Sequence, residues 1–530
     1  MTRYADLVFT PRPAGAVAVR EGRIVAIGSG ATELVGPGTE VVDLAGRLLL
    51  PGFQDAHVHA VTGGIELGQC DLTDATSPRE CQRRVGEYAR AHPERAWIVG
   101  GGWTMGLFEG GTPGRELLDA VVPDRPVCLV NRDHHGYWVN SVALARAGID
   151  RHTPDPADGR IERDAGGLPS GMLQEGAMAL VSALLPELTT AEQVAGLVRA
   201  QRLLHALGIT AWQDALVGAH NGMPDPTPAY LEAASTGRLT ARVSAALWWE
   251  RKRGAEQIED LMRWRERLER VGIRANTVKI MQDGIAENRT AAMLAPYVGG
   301  DERGFSFPDP VELCAHVSLL DSIGCQVHFH AVGDRAVREA LDAVEQARKD
   351  NGRSDNRHQL AHLQIVHPAD IPRFRALGAI ANIQPLWAAH EPDLDELTSP
   401  FLGPERAGWQ YPFGSLSRAG ARIAAGSDWP VSSPDPLRGI HVAVNRIMPD
   451  SAEPAFLPAQ RIDLSSAIAA YTSGAAYANH LDDTGTIALG NRADLVVLDR
   501  DPFDGPDEAI ADTSVEATFV GGIRVYAKEN

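Results

Sequence analysis

The sequence predicts an α/β protein: a (β/α)8 barrel carried by a discontinuous β-sandwich from both termini, with a subdomain inserted after the first barrel strand. Three observations lead there. Apolar runs of strand length alternate with helical stretches through the middle of the chain, the pattern of a parallel sheet crossed by helices. Eight such runs are found, the number that closes a barrel. The two ends of the chain share a different grammar of short alternating runs punctuated by glycine, so they are read as one β-domain.

Taken in order, residues 1–51 hold Ala-Asp-Leu-Val-Phe, Ala-Val-Ala-Val, Gly-Arg-Ile-Val-Ala-Ile-Gly and Val-Val-Asp-Leu, a small antiparallel unit. Residues 484–530 repeat the grammar in Gly-Thr-Ile-Ala-Leu-Gly, Ala-Asp-Leu-Val-Val-Leu-Asp and Thr-Phe-Val-Gly-Gly-Ile-Arg-Val-Tyr. Between them, residues 52–483 form the barrel region. Its expected strands are Leu48–His59 (which starts inside the terminal unit), 208–214, 242–249, 277–284, 325–330, 358–362, 379–384 and 422–428, with helical connectors such as 191–207 and 334–349. The stretch from about 61 to 190 is too long for one connection and is read as an inserted lid or specificity subdomain over the barrel mouth.

Composition narrows the function. A net charge of −19 argues against nucleic acid, which needs clustered Lys and Arg, and against an anionic membrane surface. Five scattered cysteines without a Cys-x-x-Cys pair read as reduced thiols. The N-terminus lacks an apolar signal core and no run approaches membrane-spanning length. A cytoplasmic protein acting on a small molecule is expected.

The chemistry centres on Pro51-Gly-Phe-Gln-Asp-Ala-His57-Val-His59. On an extended backbone, residues two apart share a face, so both imidazoles can grip one divalent ion, and Asp55 continues that face. An arbitrary His-x-His is more often two polar residues in a loop; the apolar lead-in and Asp55 favour the metal.

This stretch resembles the first-strand motif of the amidohydrolase superfamily, metal-dependent hydrolases on a TIM-type barrel. Later motifs narrow the resemblance to amidohydrolase family 3, the group with N-substituted formamide deformylase-like enzymes. It implies a metal set of His57, His59, Lys279, His330, His362 and Asp428. His330 stands in His-Ala-Val-Gly-Asp-Arg-Ala, with His328 one layer below it. His362 stands in Leu-Ala-His-Leu-Gln, while His367 is read as a surface or helix-start residue. Asp428 lies in Gly-Ser-Asp-Trp-Pro, otherwise a helix-starting turn, and is expected to bind metal and handle the proton of the attacking water. Lys279, in Val-Lys-Ile-Met-Gln-Asp-Gly, would carry a carbamate (N6-carboxylysine) bridging two ions; the ordinary readings are an ion pair with Asp283 or an exposed edge. One or two divalent ions are expected, zinc first, manganese or iron otherwise.

Around that set, His135 is expected to face the substrate, a structural role being the other reading, Glu175 to contribute to the lid or pocket, and Glu287 or Arg289 to point at the substrate. Trp103, Trp248, Trp387 and Trp429 are candidate pocket walls, each equally readable as core. Relatives often carry Ser-Leu-Gly-Ser where this chain has Ile-Ala-Glu-Asn, so their substrate does not transfer. The expected reaction is hydrolysis of an amide, N-formyl, N-acyl or cyclic amide C–N bond. Deamination or ester or carbamate cleavage on the same scaffold is the alternative. A non-catalytic metal-binding regulator is the alternative of another class, and a homodimer is the expectation by analogy.

Overall fold

The computed structural model describes residues 4–10, 15–219 and 225–529. Its centre is an eight-stranded parallel sheet: β1 Phe53–Val58, β2 Ile209–Val217, β3 Arg242–Trp248, β4 Arg274–Met281, β5 Gln326–Ala331, β6 Gln359–His362, β7 Ile380–Ile383 and β8 Arg422–Ala425. The strands pair in chain order, so each connection is a crossover, carried for example by the helices Thr190–Ala206 and Asp334–Asn351. The sheet curls until its ends meet. Just past β8, the Asp428 amide donates to His57 O at 2.7 Å and the His59 amide donates to Trp429 O at 2.9 Å. This is a TIM-type α/β barrel. Helix Thr190–Ala206 starts on a capping box, in which the Thr189 side chain and Glu192 satisfy each other's backbone amides.

Two four-stranded sheets flank the barrel. One holds Leu7–Thr10, Val17–Arg20, Arg23–Ile27 and Glu40–Asp43; the other holds Leu48–Pro51, Leu495–Leu498, Val515–Val520 and Ile523–Ala527. They share a core that includes Phe9 and Phe519, whose rings meet edge to face at 5.0 Å. Three expectations change here. Leu48–Pro51 is not part of the first barrel strand; it pairs antiparallel with Leu495–Leu498, and the barrel strand starts at Phe53. The Glu40–Asp43 strand runs parallel to Leu7–Thr10, so the N-terminal unit is not wholly antiparallel. The Gly485–Gly490 run forms no strand; its Gly490 amide caps Ile24 O in a turn.

The insertion holds a six-stranded mixed sheet running from Cys70–Asp71 through Ile98–Trp103, Val127–Asn131, Gly136–Val139 and Pro169–Glu175 to Gly159–Arg163. It has its own apolar core around Trp103, Trp138 and Phe108. Residues from this sheet's loops and from the C-terminal ends of the barrel strands enclose one cavity of about 620 Å³. Among the described residues, no helix is long and apolar enough to cross a membrane.

Candidate metal centre

At the floor of the cavity, Asp428 Oδ1 lies 2.9 Å from His59 Nε2 and 3.2 Å from His57 Nε2. These three residues form a group whose ligand atoms all lie within 4.8 Å of one another. His57 belongs to β1 and His59 follows it; Asp428 follows β8 across the seam. The seam is tight because of Gly426. A Cβ there would fall 2.5 Å from the His57 amide nitrogen, so no other residue fits this approach.

His362 ends β6, and its Nδ1 stands 3.8 Å from Asp428 Oδ2. Its ring stacks on Trp387 at 5.3 Å with an 8° tilt and meets the His330 ring at 4.4 Å. His330, near the end of β5, contacts Gly284 O at 3.1 Å through Nε2. Lys279 projects from β4 and is 4% exposed. The structure removes both ordinary readings of this lysine. Its Nζ has no hydrogen-bond partner among the described residues, and Asp283 is occupied elsewhere, accepting from the amides of Ala292, Val332 and Gly333.

The electrostatics follow from burial. Loss of water pulls the Lys279 amine down to about 7, with Asp428 opposing that shift. Burial, then the lysine, pulls His57 down to about 3, and burial lowers His330 and His362 as well. Imidazoles kept neutral are the form in which a divalent cation binds them. Lys279 Nζ, His362 Nδ1 and Asp428 Oδ1 are all buried without a hydrogen-bond partner among the described residues. Such orphan atoms are costly unless something binds them, so the donor set fits a metal.

Above the floor, His135 Nδ1 and Glu175 Oε1 are 2.8 Å apart, and Thr290 donates to the same oxygen at 2.8 Å. Burial opposes a charge on His135, yet the Glu175 carboxylate outweighs it and holds the imidazole up to about 9. Glu175, His362 and Asp428 take φ values of +50°, +76° and +57°, left-handed conformations that side chains adopt only under constraint. All three line the cavity.

Glu287 lines the cavity and accepts from Thr398 at 3.1 Å, and Trp248, Trp387 and Trp429 form walls. Two candidates lie elsewhere. Trp103 is fully buried in the core of the inserted sheet, where it meets Phe108 and Trp138 edge to face; the adjacent Gly101 and Gly102 line the cavity instead. Arg289 is exposed, over the Phe401 ring and 3.8 Å from Glu302. Asp55 also departs from its expected place. It turns away from the ion site and accepts from the His57 and Ser427 amides and the Ser427 hydroxyl. His367 caps a short helical turn by accepting from the Ala369 amide, as a helix-start residue does. A rim latch with no sequence motif to mark it joins the insertion to the barrel side: Arg132 bonds Glu391 at 2.8 Å and Asp393 at 3.3 Å.

The amidohydrolase family is matched over residues 40–526. The chain belongs to that family. It is 33% identical to Protein LONG AFTER FAR-RED 3 of Arabidopsis thaliana, over 97% of this chain and 88% of that one. It is 28% identical to the N-substituted formamide deformylase of Arthrobacter pascens, over 97% and 95%. An uncharacterised metal-dependent hydrolase from Pyrococcus furiosus superposes with a TM-score of 0.69 at 26% identity, covering 94% of this chain and 99% of that one.

Proposed function

We propose that this amidohydrolase is a metal-dependent enzyme that hydrolyses the C–N bond of an amide, N-formyl or N-acyl compound or a cyclic amide. The observation that carries the reading is the triangle of His57, His59 and Asp428 at the cavity floor, with the orphan atoms of Lys279 and His362 beside it. Those residues, with His330, would hold one or two divalent ions; imidazole and carboxylate donors suit zinc, with manganese or iron next. Lys279 would contribute as a carbamate, since an uncharged buried amine is the form that reacts with carbon dioxide.

A bound ion supplies Lewis acidity, which makes a water nucleophilic near neutral pH and polarises a carbonyl. The chain does the rest. Asp428 accepts the proton of the attacking water and passes it to the leaving nitrogen. His135, held cationic by Glu175, donates a hydrogen bond where the carbonyl oxygen gains charge. Glu287 and the walls of Trp248, Trp387 and Trp429 orient the substrate. The name of the Arthrobacter relative supports the choice of C–N bond. The unpaired cysteines support a cytoplasmic setting.

The test is a panel of N-formyl amines, N-acyl amines and cyclic imides offered to zinc-loaded protein, with release of amine or acid as the readout. Turnover by the wild type that Asp428→Asn loses by about 10²–10⁴-fold supports the reading. Turnover confined to esters would move the activity to another bond. No turnover on any of them, with metal bound, would favour the non-catalytic regulator.

A further inference from the structure

The interior of the barrel below the cavity is polar where an apolar filling is ordinary. Gln213 on β2, Gln326 and His328 on β5, Gln359 on β6 and Asn382 on β7 are each 0% exposed, and they form one hydrogen-bonded array. Buried this deeply, each donor must meet an acceptor, so the direction of every bond can be read from groups whose role is fixed.

The first fixed group is Ala56 O, a carbonyl that only accepts. Asn382 Nδ2 donates to it at 2.9 Å and also to Gln359 Oε1 at 2.9 Å. That assigns Gln359 Nε2 as a donor, and it donates to Gln213 Oε1 at 2.8 Å. A second anchor agrees independently. Gln326 Nε2 donates to the carbonyls of Arg357 and Ala478, so Gln326 Oε1 is an acceptor, and Gln359 Nε2 reaches it at 3.3 Å. Gln213 Oε1, an acceptor, faces His328 Nδ1 at 2.5 Å. The proton therefore sits on His328 Nδ1. His328 Nε2 is left with a lone pair, and it faces His57 Nδ1 at 2.9 Å. The proton of His57 must then be on Nδ1, and His57 Nε2 presents its lone pair to the site floor.

We propose that the relay Ala56–Asn382–Gln359–Gln213–His328 sets the tautomer of His57, making His328 and the amide chain positioning residues for the metal. The path leaves the backbone of β1 and returns to the side chain of the next residue on β1. It also explains the floor: a bare imidazole nitrogen 3.2 Å from a carboxylate oxygen has no proton to share, so the pair needs a cation. A branch reaches a second proposed ligand. Gln384 Nε2 donates to Asn382 Oδ1 at 3.1 Å, and Gln384 Oε1 accepts the His362 amide at 2.8 Å, pinning the left-handed backbone there. This inference rests on the metal-centre reading for its purpose but not for its bond directions.

Two measurements test it. Nitrogen-15 NMR of metal-free wild-type protein labelled at histidine, with His57 assigned by the signals lost in His57→Ala, reads the tautomer directly. A proton on Nδ1 and a bare Nε2 is expected; a proton on Nε2 overturns the relay. Zinc affinity by chelator competition is then compared for His328→Gln, which keeps one donor and one acceptor, and His328→Leu, which keeps neither. The leucine variant should bind about 10–100-fold more weakly and the glutamine variant within a few-fold of wild type. Equal affinity in the two variants would overturn the proposal. If wild-type protein bound no zinc, the metal reading would fail while the NMR result still decided the relay.

Discussion

Asp55 reaches across the barrel seam to Ser427, accepting its hydroxyl at 2.5 Å and its amide at 3.0 Å. The same carboxylate accepts the His57 amide at 2.9 Å, so one buried group ties the strand that carries His57 to the segment that presents Asp428. Burial pulls this carboxyl up to about 7, and the bonds from Ser427 and His57 oppose that shift. Removing the hydroxyl with Ser427→Ala leaves the carboxylate short of a donor in a dry site. We expect a loss of about 1.5–3 kcal/mol in unfolding free energy, read by denaturant titration, together with weaker metal binding. A variant as stable as wild type would show that the seam does not depend on this bond.

The His135–Glu175 pair predicts a pH dependence. His135 is raised from 6.5 to about 9, so it binds a proton more tightly in the folded state. Its contribution to stability is complete below about pH 6.5 and is lost as pH rises through about 9. Glu175→Gln removes the attraction while keeping the hydrogen bond. The alkaline limb of kcat/KM should move to lower pH, and the loss of stability between those two pH values should flatten. A profile unchanged in both respects would take His135 out of the mechanism.

Lys279 should react with carbon dioxide. With 13C-bicarbonate, wild-type protein is expected to show a carbamate carbon signal that Lys279→Ala lacks, and the variant should hold less metal per chain. The absence of that signal in metal-loaded wild type would leave the amine itself as the group at the site.

The tryptophans should separate by position. Trp103→Ala removes a fully buried ring from the insertion's core and should cost about 3–5 kcal/mol, seen as early melting or proteolysis of the insertion. Trp387→Ala removes the face against which His362 stacks, and is expected to raise KM and weaken metal binding with a smaller stability loss. The reverse pattern would exchange their roles.

Much of this was legible because barrel strands bury both faces and read as apolar runs, with the site residues at their ends. The first barrel strand starts later than the apolar pattern predicts, because Leu48–Leu50 is as apolar as a barrel strand while its partner, Leu495–Leu498, lies near the far end of the chain. What divides the two is local: Pro51 lacks a donor, and a Cβ at Gly52 would fall 2.3 Å from Thr210, so the chain turns there. Trp103 misled because it ends a strand, and only the neighbouring glycines face the cavity. Asp55 misled because period-two spacing gives the face of a strand but not the bond its side chain makes. The relay left a trace in the sequence. Gln213, Gln359 and Asn382 are amides inside apolar strands, too costly to bury without a network.

On the proposed reading, His57, His59 and Asp428 close around a metal. Its most direct test is metal content per chain by elemental analysis, on wild-type protein and on the His57→Ala/His59→Ala double variant, both expressed with added bicarbonate and checked for folding by circular dichroism. At least one divalent ion per wild-type chain is expected, and its loss from a folded double variant. A wild type without metal, or a double variant that keeps its full complement, would contradict it.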